Sequence, residues 1–295
     1  MSYKNKTKID IIFDVINYTL MIALSIAFIY PFWQTIVLSF SSPKYAYSLG
    51  VKLWPQGFNL KSYEEVFKSK VIYTGFINSL TRTLIGTTLT ILVTYCGAYA
   101  LSKKNLPFRN IITLLILFTM FFSGGLIPSF LLVNSLKMHN TIWALIFPIT
   151  TSAWNLIITR NFIASLPESL EEAALVDGAH PIAVVFRIMF PLSMPIIAVL
   201  ALWSAVHHWN SWFDAMIYIR DEEKMVLQQI LRRIIIDDSK DIMETAGLLT
   251  ITTAQTTPET IKSATIVVTM LPIILVYPFL QKYFVKGIMI GALKG

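Results

Sequence analysis

The chain has 295 residues, of which 55% are hydrophobic and only 14% are charged, and its formal net charge is +7. Ordinary soluble domains carry about 25% charged residues, so this composition argues against a soluble globular protein. No basic run with interleaved aromatic residues lies outside the apolar stretches, so the positive charge suits an anionic membrane surface and excludes a nucleic-acid partner.

Six apolar segments, each long enough to cross a bilayer, follow one another along the chain. A transmembrane helix needs about 20 apolar residues to cross about 30 Å of hydrocarbon. We therefore predict an all-α membrane protein with six transmembrane helices in residues 15–285, between a 1–14 tail and a 286–295 tail. The predicted spans are 15–40, 71–101, 110–132, 140–161, 190–213 and 263–281.

The first span follows a basic tail that contains Lys4, Lys6 and Lys8. Its apolar run is longer than the roughly 7 to 15 apolar residues of a cleaved signal peptide, so we interpret it as an uncleaved anchor. Proline removes a backbone donor from a helix, so Pro31 is expected to kink this span.

The distribution of charge favours a cytoplasmic location for both termini. Short loops that are rich in Lys and Arg stay on the cytoplasmic side, and the loop after the second span carries Lys103, Lys104 and Arg109 without an acid. The same topology puts the 162–189 loop in the cytoplasm and the long 214–262 loop outside.

Arg82 is the strong charge closest to the interior of a predicted span. Ionisable groups inside a membrane are usually functional, so Arg82 could contact a polar substrate in a water-filled path. Alternatively, its long side chain could reach the outer interface while its stem stays in the apolar layer. Both interpretations are open at this point.

The third span contains Gly124, Gly125 and Pro128, a combination that breaks helices. Non-helical backbone is tolerated at membrane depth only where it is buried in protein or lines a cavity. This segment is therefore expected either to line a translocation path or to form an ordinary external turn.

The loop between the fourth and fifth spans, 162–189, is predicted to form two short helices. Ser165 with Glu168 three residues later predicts a capping box at the start of the first helix. Gly178 is expected to end that helix, because glycine adopts a left-handed C-terminal cap without steric cost. Pro181 is expected to begin the second helix.

Within this loop, residues 172–191 read E-A-A-L-V-D-G-A-H-P-I-A-V-V-F-R-I-M-F-P. The spacing of E-A-A, Gly178, Ile188 and Pro191 resembles the loop by which ABC-importer permeases bind their ATPase. Phe190 stands where leucine is usual, which is a conservative apolar change. The six spans, this loop and the C-terminal tail together resemble the carbohydrate-uptake branch of type I ABC-importer permeases, similar to the smaller maltose-system permease and to the oligosaccharide permease subgroup.

The resemblance implies a multi-pass permease subunit of an ATP-driven importer in a bacterial cell membrane, forming half of the path for a sugar or oligosaccharide. The implied partners are two ATPase subunits, a second permease subunit and an external solute-binding protein. Small alanines in the loop would let a partner surface approach closely, and acids would meet basic partner groups. The residues expected to couple to the ATPase are Glu171, Glu172, Ala173, Ala174, Asp177, Gly178, Ile188 and Pro191.

The substrate path is expected toward the external half of the chain, where polar side chains and irregular backbone are predicted. In maltose-like systems the loop before the last span reaches into the binding protein, and the matching stretch here is 250–260. The residues predicted to line the path are Arg82, Gly124, Gly125, Thr252, Thr253 and Gln255.

The sequence supports two other functional classes less well. An intramembrane enzyme needs a reactive constellation, and the spans contain no paired acids, Ser–His pair or metal-ligand spacing, so no catalytic residue, metal or cofactor is predicted. The chain has no phosphate-binding P-loop motif, so ATP hydrolysis is expected on a separate subunit. A permease for a non-sugar polar solute, or a stand-alone channel or secondary carrier, stays open as an alternative.

Overall fold

A computed structural model describes residues 7–48, 50–236 and 256–292, and within these ranges it contains helices and no strand. Two short 3-10 helices cover Phe147–Ile149 and Glu222–Lys224, and a π-helix covers Val184–Met189. The α-helices are α1 (Lys8–Ser39), α2 (Pro43–Ala46), α3 (Lys61–Lys68), α4 (Lys70–Ser102), α5 (Arg109–Phe121), α6 (Leu126–Ser135), α7 (Trp143–Ile146), α8 (Ala153–Ala164), α9 (Glu168–Val176), α10 (Pro181–Ala183), α11 (Phe190–Leu192), α12 (Met194–Asn210), α13 (Phe213–Tyr218), α14 (Leu227–Ile236) and α15 (Pro258–Ala292).

Several of these helices are apolar enough to cross a membrane. In the described part of the chain, α1, α4 and the first 19 residues of α15 are each long and apolar enough, and two bent helix pairs bring the total to five. The all-helical prediction is confirmed at this level, whereas the count of six spans stays a prediction.

The fourth predicted span, 140–161, is not one continuous helix. It consists of α7, a 3-10 turn and α8, separated by a break before Ala153. Pro148 lies in the 3-10 turn and cannot donate a backbone hydrogen bond, and the Ser152 hydroxyl caps α8 by accepting from the Asn155 amide at 3.4 Å. These two residues divide an apolar segment that hydropathy alone treats as uniform.

The predicted break in the third span is confirmed. α5 and α6 meet at an angle of 115°, and Gly125 between them has a φ of +84°. Only glycine adopts such a backbone conformation without strain, so the sharp turn depends on this residue.

Backbone contacts divide the chain into two compact units, and the first is Met1–Lys70 with Asp238–Val268. Its α1 continues unbroken through Pro31, so the expected kink stays a prediction. Aromatic rings hold the end of α1 against the following segment, since the rings of Phe40 and Phe58 stack with centroids 5.7 Å apart. The Ser62 hydroxyl donates to Thr260 at 2.9 Å, which joins α3 to the start of α15.

The second unit is Val71–Asp237 with Thr269–Gly295, and it contains the 162–189 loop with the E-A-A pattern. Its core packs the cytoplasmic-predicted half of α4 against α8, the 184–189 π-helix and α12; the buried members are Tyr95, Ala98, Ile163, Val184, Met189, Ile196, Ile197 and Val199. In the same unit, α14 is fixed to α4 because its Leu227 amide donates to the Ser79 hydroxyl at 2.8 Å.

Candidate functional site

The loop that carries the E-A-A pattern begins with α9, and this helix ends as predicted at Gly178. Gly178 has a φ of +83°, its amide donates to the Leu175 carbonyl at 3.1 Å, and the Ala179 amide donates to the Ala174 carbonyl at 3.0 Å. These two bonds form a Schellman motif, which needs a left-handed residue at this position.

The predicted capping box at the start of α9 is wrong. α8 extends to Ala164, so Ser165 belongs to the end of that helix and its hydroxyl donates to the Phe162 carbonyl at 2.7 Å. Pro167 occupies the capping position of α9 and supplies no side-chain hydrogen bond. The end of one helix therefore takes the hydroxyl that the sequence spacing assigned to the start of the next.

The second helix of the loop begins at Pro181, as predicted, but continues as a π-helix over Val184–Met189. The Nδ1 atom of His180 accepts from the Ile182 amide at 3.3 Å and caps this helix. π-Helical turns are rare and often occur at functional sites.

Glu171 ties the loop to α4 through both of its carboxylate oxygens. The Tyr99 hydroxyl donates to one oxygen at 2.7 Å, and Lys103 forms an ion pair with the other. The Lys103 ammonium also lies 4.4 Å from the centre of the Tyr99 ring. We name Tyr99, Lys103 and Glu171 the loop clamp. Its bonds use the carboxylate of Glu171, which the sequence suggested would contact a partner.

A second ion pair lies beside the loop clamp. Lys104 contacts Glu168 at 2.8 Å, and both side chains are exposed. The lysine lowers the pKa of Glu168 below its usual range by hydrogen bonding and charge attraction. Exposed pairs of this kind contribute little to stability, because water screens the attraction.

The outward surface of the loop carries most of the other predicted coupling residues. Glu172, Ala173, Asp177, Gly178 and Pro191 are exposed, whereas Ala174 and Ile188 are half-buried. The structure adds two apolar side chains that the sequence pattern did not single out, Val176 at 87% exposure and Ile182 at 62%. Both apolar side chains are accessible to a partner surface.

Arg82 is fully buried and forms an ion pair with Asp214. Its guanidinium also donates to the carbonyls of Ser211 at 3.0 Å and Leu145 at 3.2 Å. The side chain therefore does not reach the outer interface, and that interpretation is wrong. Arg82 is not among the residues that line the two cavities described below, and Asp214 compensates its buried charge.

Two neighbouring cavities lie beside α12, the smaller one also lined by residues of α4, α5 and α8 and the larger one by residues of α13 and α15. Their volumes are about 1000 Å³ and about 820 Å³, and both are lined by Ile149, Trp203 and His207. The larger cavity extends past Trp212 to Asp214. The smaller cavity is lined by hydroxyl, amide and imidazole groups, which are those of Thr90, Thr119, Thr151, Ser152, Asn155, Ser204, His207 and His208.

Of the remaining predicted path residues, the structure describes Gly124 and Gly125. Gly124 and Gly125 are exposed at the α5–α6 turn and line neither cavity. Thr252, Thr253 and Gln255 lie outside the described residues. The sequence missed Asp214 as the partner of Arg82, although it is the acid closest to the end of the fifth predicted span.

The chain matches a family model described as binding-protein-dependent transport system inner membrane component over residues 95–290. It is 38% identical over 288 residues to the polygalacturonan/rhamnogalacturonan transport system permease protein YtcP of Bacillus subtilis (strain 168), covering 96% of this chain and 99% of that protein. It is 40% identical over 291 residues to protein LplC of the same organism, covering 99% and 98%.

A solved structure has a similar fold. It is a bacterial ABC transporter involved in the import of the acidic polysaccharide alginate, and one of its chains is 32% identical with a TM-score of 0.89. The superposition covers 95% of this chain and 99% of that one.

Proposed function

Because this chain belongs to the family of inner membrane components of binding-protein-dependent transport systems, we propose that it is one of two permease subunits that together enclose the path of an ATP-driven sugar importer. It is a transport subunit and not an enzyme. It is a multi-pass inner membrane protein with six spans and with both termini in the cytoplasm.

The proposed substrate is an oligosaccharide. The relative from Bacillus subtilis is named for polygalacturonan and rhamnogalacturonan transport, and the similar solved structure takes part in alginate import. All of these polysaccharides contain acidic sugars, so oligogalacturonides are the first compounds to test. An external solute-binding protein delivers the oligosaccharide to the outer face of the permease.

The loop around Gly178 is the proposed contact with one of two ATPase subunits. Its exposed acids, small alanines and the two apolar side chains Val176 and Ile182 offer a compact surface. The Schellman motif holds α9 at a defined angle to the following helix. The proposed function rests on the geometry of this loop, because the match to the family model includes the loop.

The test is uptake in a strain that lacks this chain. Labelled trigalacturonate should enter the wild-type strain, stop entering when the chain is removed, and enter again when it is restored. Vanadate, which inhibits ATP-driven transporters of this class, should stop uptake, whereas dissipating the proton gradient at constant ATP should not. Uptake that follows the proton gradient instead would refute the proposed function.

A further inference from the structure

Four threonine side chains form a row along one face of α4. Thr83, Thr87, Thr90 and Thr94 are spaced four, three and four residues apart, which places them on the same side of a helix. The hydroxyl oxygen of each one is buried and has no hydrogen-bond partner. At about 1.5 Å per residue the threonine row extends along α4 for about 17 Å.

Other threonines in the helices form a hydrogen bond within their own helix, which these four do not. The hydroxyls of Thr35, Thr88 and Thr113 each donate to the carbonyl four residues earlier, at 2.7 to 2.9 Å. That local bond is the usual way for a helical threonine to satisfy its hydroxyl in an apolar environment. A buried hydroxyl that does not make it retains a donor and an acceptor for another molecule.

Thr90 joins the threonine row to the smaller of the two cavities. It is 3% exposed and lines that cavity. His208 lines it as well, is 2% exposed, and has an Nδ1 atom without a hydrogen-bond partner. Two nine-tenths-buried side chains, each with an unpartnered polar atom, thus line the same cavity of about 820 Å³.

Aromatic side chains provide a second kind of contact in this cavity. Trp154 and Trp203 both contribute to its wall. The flat face of an indole ring packs against the apolar face of a sugar ring, whose hydroxyls then project sideways toward polar groups. Ser204 and Asn155 supply additional hydrogen-bonding groups in that wall.

The charge of the cavity wall restricts the kind of ligand. Among the described residues that line it, none is Lys, Arg, Asp or Glu. In the adjoining cavity the one such residue among those described is Asp214, whose carboxylate is paired with Arg82. A carboxylate entering the smaller cavity would lose its hydration without gaining a lysine or arginine partner, whereas sugar hydroxyls would gain partners.

We propose that the cavity at Thr90 is a subsite for the uncharged, hydroxyl-bearing face of a sugar ring, with Trp203 as the packing surface and Thr90, Ser204 and His208 as hydrogen-bonding groups. This subsite rests on the proposed function and adds to it where in this chain the sugar is held. Carboxylates of an acidic oligosaccharide point away from the cavity when a ring occupies it.

The test uses the complete transporter in proteoliposomes and two probes, trigalacturonate and its uncharged methyl ester. Thr90→Val keeps the shape of the side chain and removes the hydroxyl. The loss of one hydrogen bond should raise the KM for uptake of both probes by about 3- to 10-fold. The melting temperature of the variant should not fall, because the hydroxyl it removes has no partner in the protein.

Thr88→Val is the matched control, since Thr88 lies on the opposite, exposed side of α4 and bonds its own helix. Its KM should equal that of the wild-type chain. Trp203→Leu should raise the KM for both probes more than Trp203→Phe does.

Three results would overturn the subsite. Unchanged KM values in both Thr90→Val and Trp203→Leu would show that the cavity takes no sugar. A loss confined to the acid probe would show that it recognises a carboxylate. If wild-type transporter takes up neither probe nor any other oligosaccharide, the proposed function fails, and the subsite fails with it.

Discussion

At the scale of single residues, Arg82 and Asp214 form a buried ion pair in the second unit. Arg82 is fully buried, and its guanidinium depends on Asp214 and two backbone carbonyls. Removing one partner of such a pair leaves a buried charge without compensation, which costs about 3–5 kcal/mol.

We therefore expect Asp214→Asn to lower the melting temperature of the detergent-purified transporter, in line with a loss of several kcal/mol. Asp221→Asn is the control, because Asp221 pairs with Lys224 at the surface, with both side chains about half exposed. Equal melting temperatures for the two variants would show that the buried pair contributes nothing to stability.

The loop clamp leads to a second prediction at this scale. Both carboxylate oxygens of Glu171 bind groups on or just beyond α4, so this residue can transmit motion of the loop to that helix. Glu171→Gln should reduce oligosaccharide uptake several-fold, because a charge-assisted bond is about twice as strong as a neutral one. The ATPase subunits should still co-purify, since Glu171 points into its own chain.

Lys104→Gln tests whether any ion pair at the loop has this effect. It breaks the exposed pair with Glu168 and should leave uptake near the wild-type level. Loss of ATPase co-purification in Glu171→Gln would instead make Glu171 a partner contact and contradict its role in the loop clamp.

At the scale of elements, the end of α9 depends on the backbone of Gly178. Its φ of +83° disfavours side chains, although nothing lies within 4 Å of a Cβ added there. The cost of substitution is thus one of conformation, about 1–2 kcal/mol for a β-branched residue in the left-handed region.

Gly178→Val should change the angle between α9 and the following helix, so that the ATPase subunits no longer co-purify. The permease should still insert into the membrane. Asparagine tolerates the left-handed conformation, so Gly178→Asn should keep most of the co-purification. Normal assembly of the valine variant would mean that the loop angle does not determine binding.

The α5–α6 turn allows a similar comparison between two adjacent glycines. Gly125 has a φ of +84°, whereas the φ of Gly124 is not positive and a Cβ there would lie in ordinary contact with Pro128 at 3.5 Å. Gly125→Ala should therefore lower stability and uptake, and Gly124→Ala should be tolerated. Measuring the melting temperature and the uptake of both variants distinguishes backbone strain from lost space. A larger loss in Gly124→Ala than in Gly125→Ala would contradict the role of backbone strain.

At the scale of the whole molecule, the topology can be tested with two single cysteines. Cys96 is exposed in the isolated chain, so the background variant is Cys96→Ser. Asn105 and Glu222 are exposed in loops that the charge distribution places on opposite sides. An impermeant maleimide should label Glu222→Cys in intact cells and Asn105→Cys only after the membrane is opened.

Labelling of both cysteines from outside would contradict the proposed six-span topology. Labelling of Asn105→Cys alone in intact cells would reverse the orientation and place the E-A-A loop outside, where an ATPase cannot bind it.

The sequence by itself determined the class of the molecule, the break at Gly125 and the end of α9 at Gly178. These features follow from local chemistry, since apolar length decides whether a helix suits a bilayer and a positive φ decides where glycine is needed. The spaced loop pattern also identified the family, because its residues are close together in the chain.

Only the tertiary structure decided which groups meet across the second unit. The partners of Arg82 lie 63 to 132 residues away in the chain, and those of Glu171 lie 68 and 72 residues away. The unused hydroxyls of the threonine row were equally invisible, because a threonine in a helix satisfies itself locally unless packing turns it elsewhere. Such pairings depend on how helices pack, and residue spacing along one segment carries no information about them.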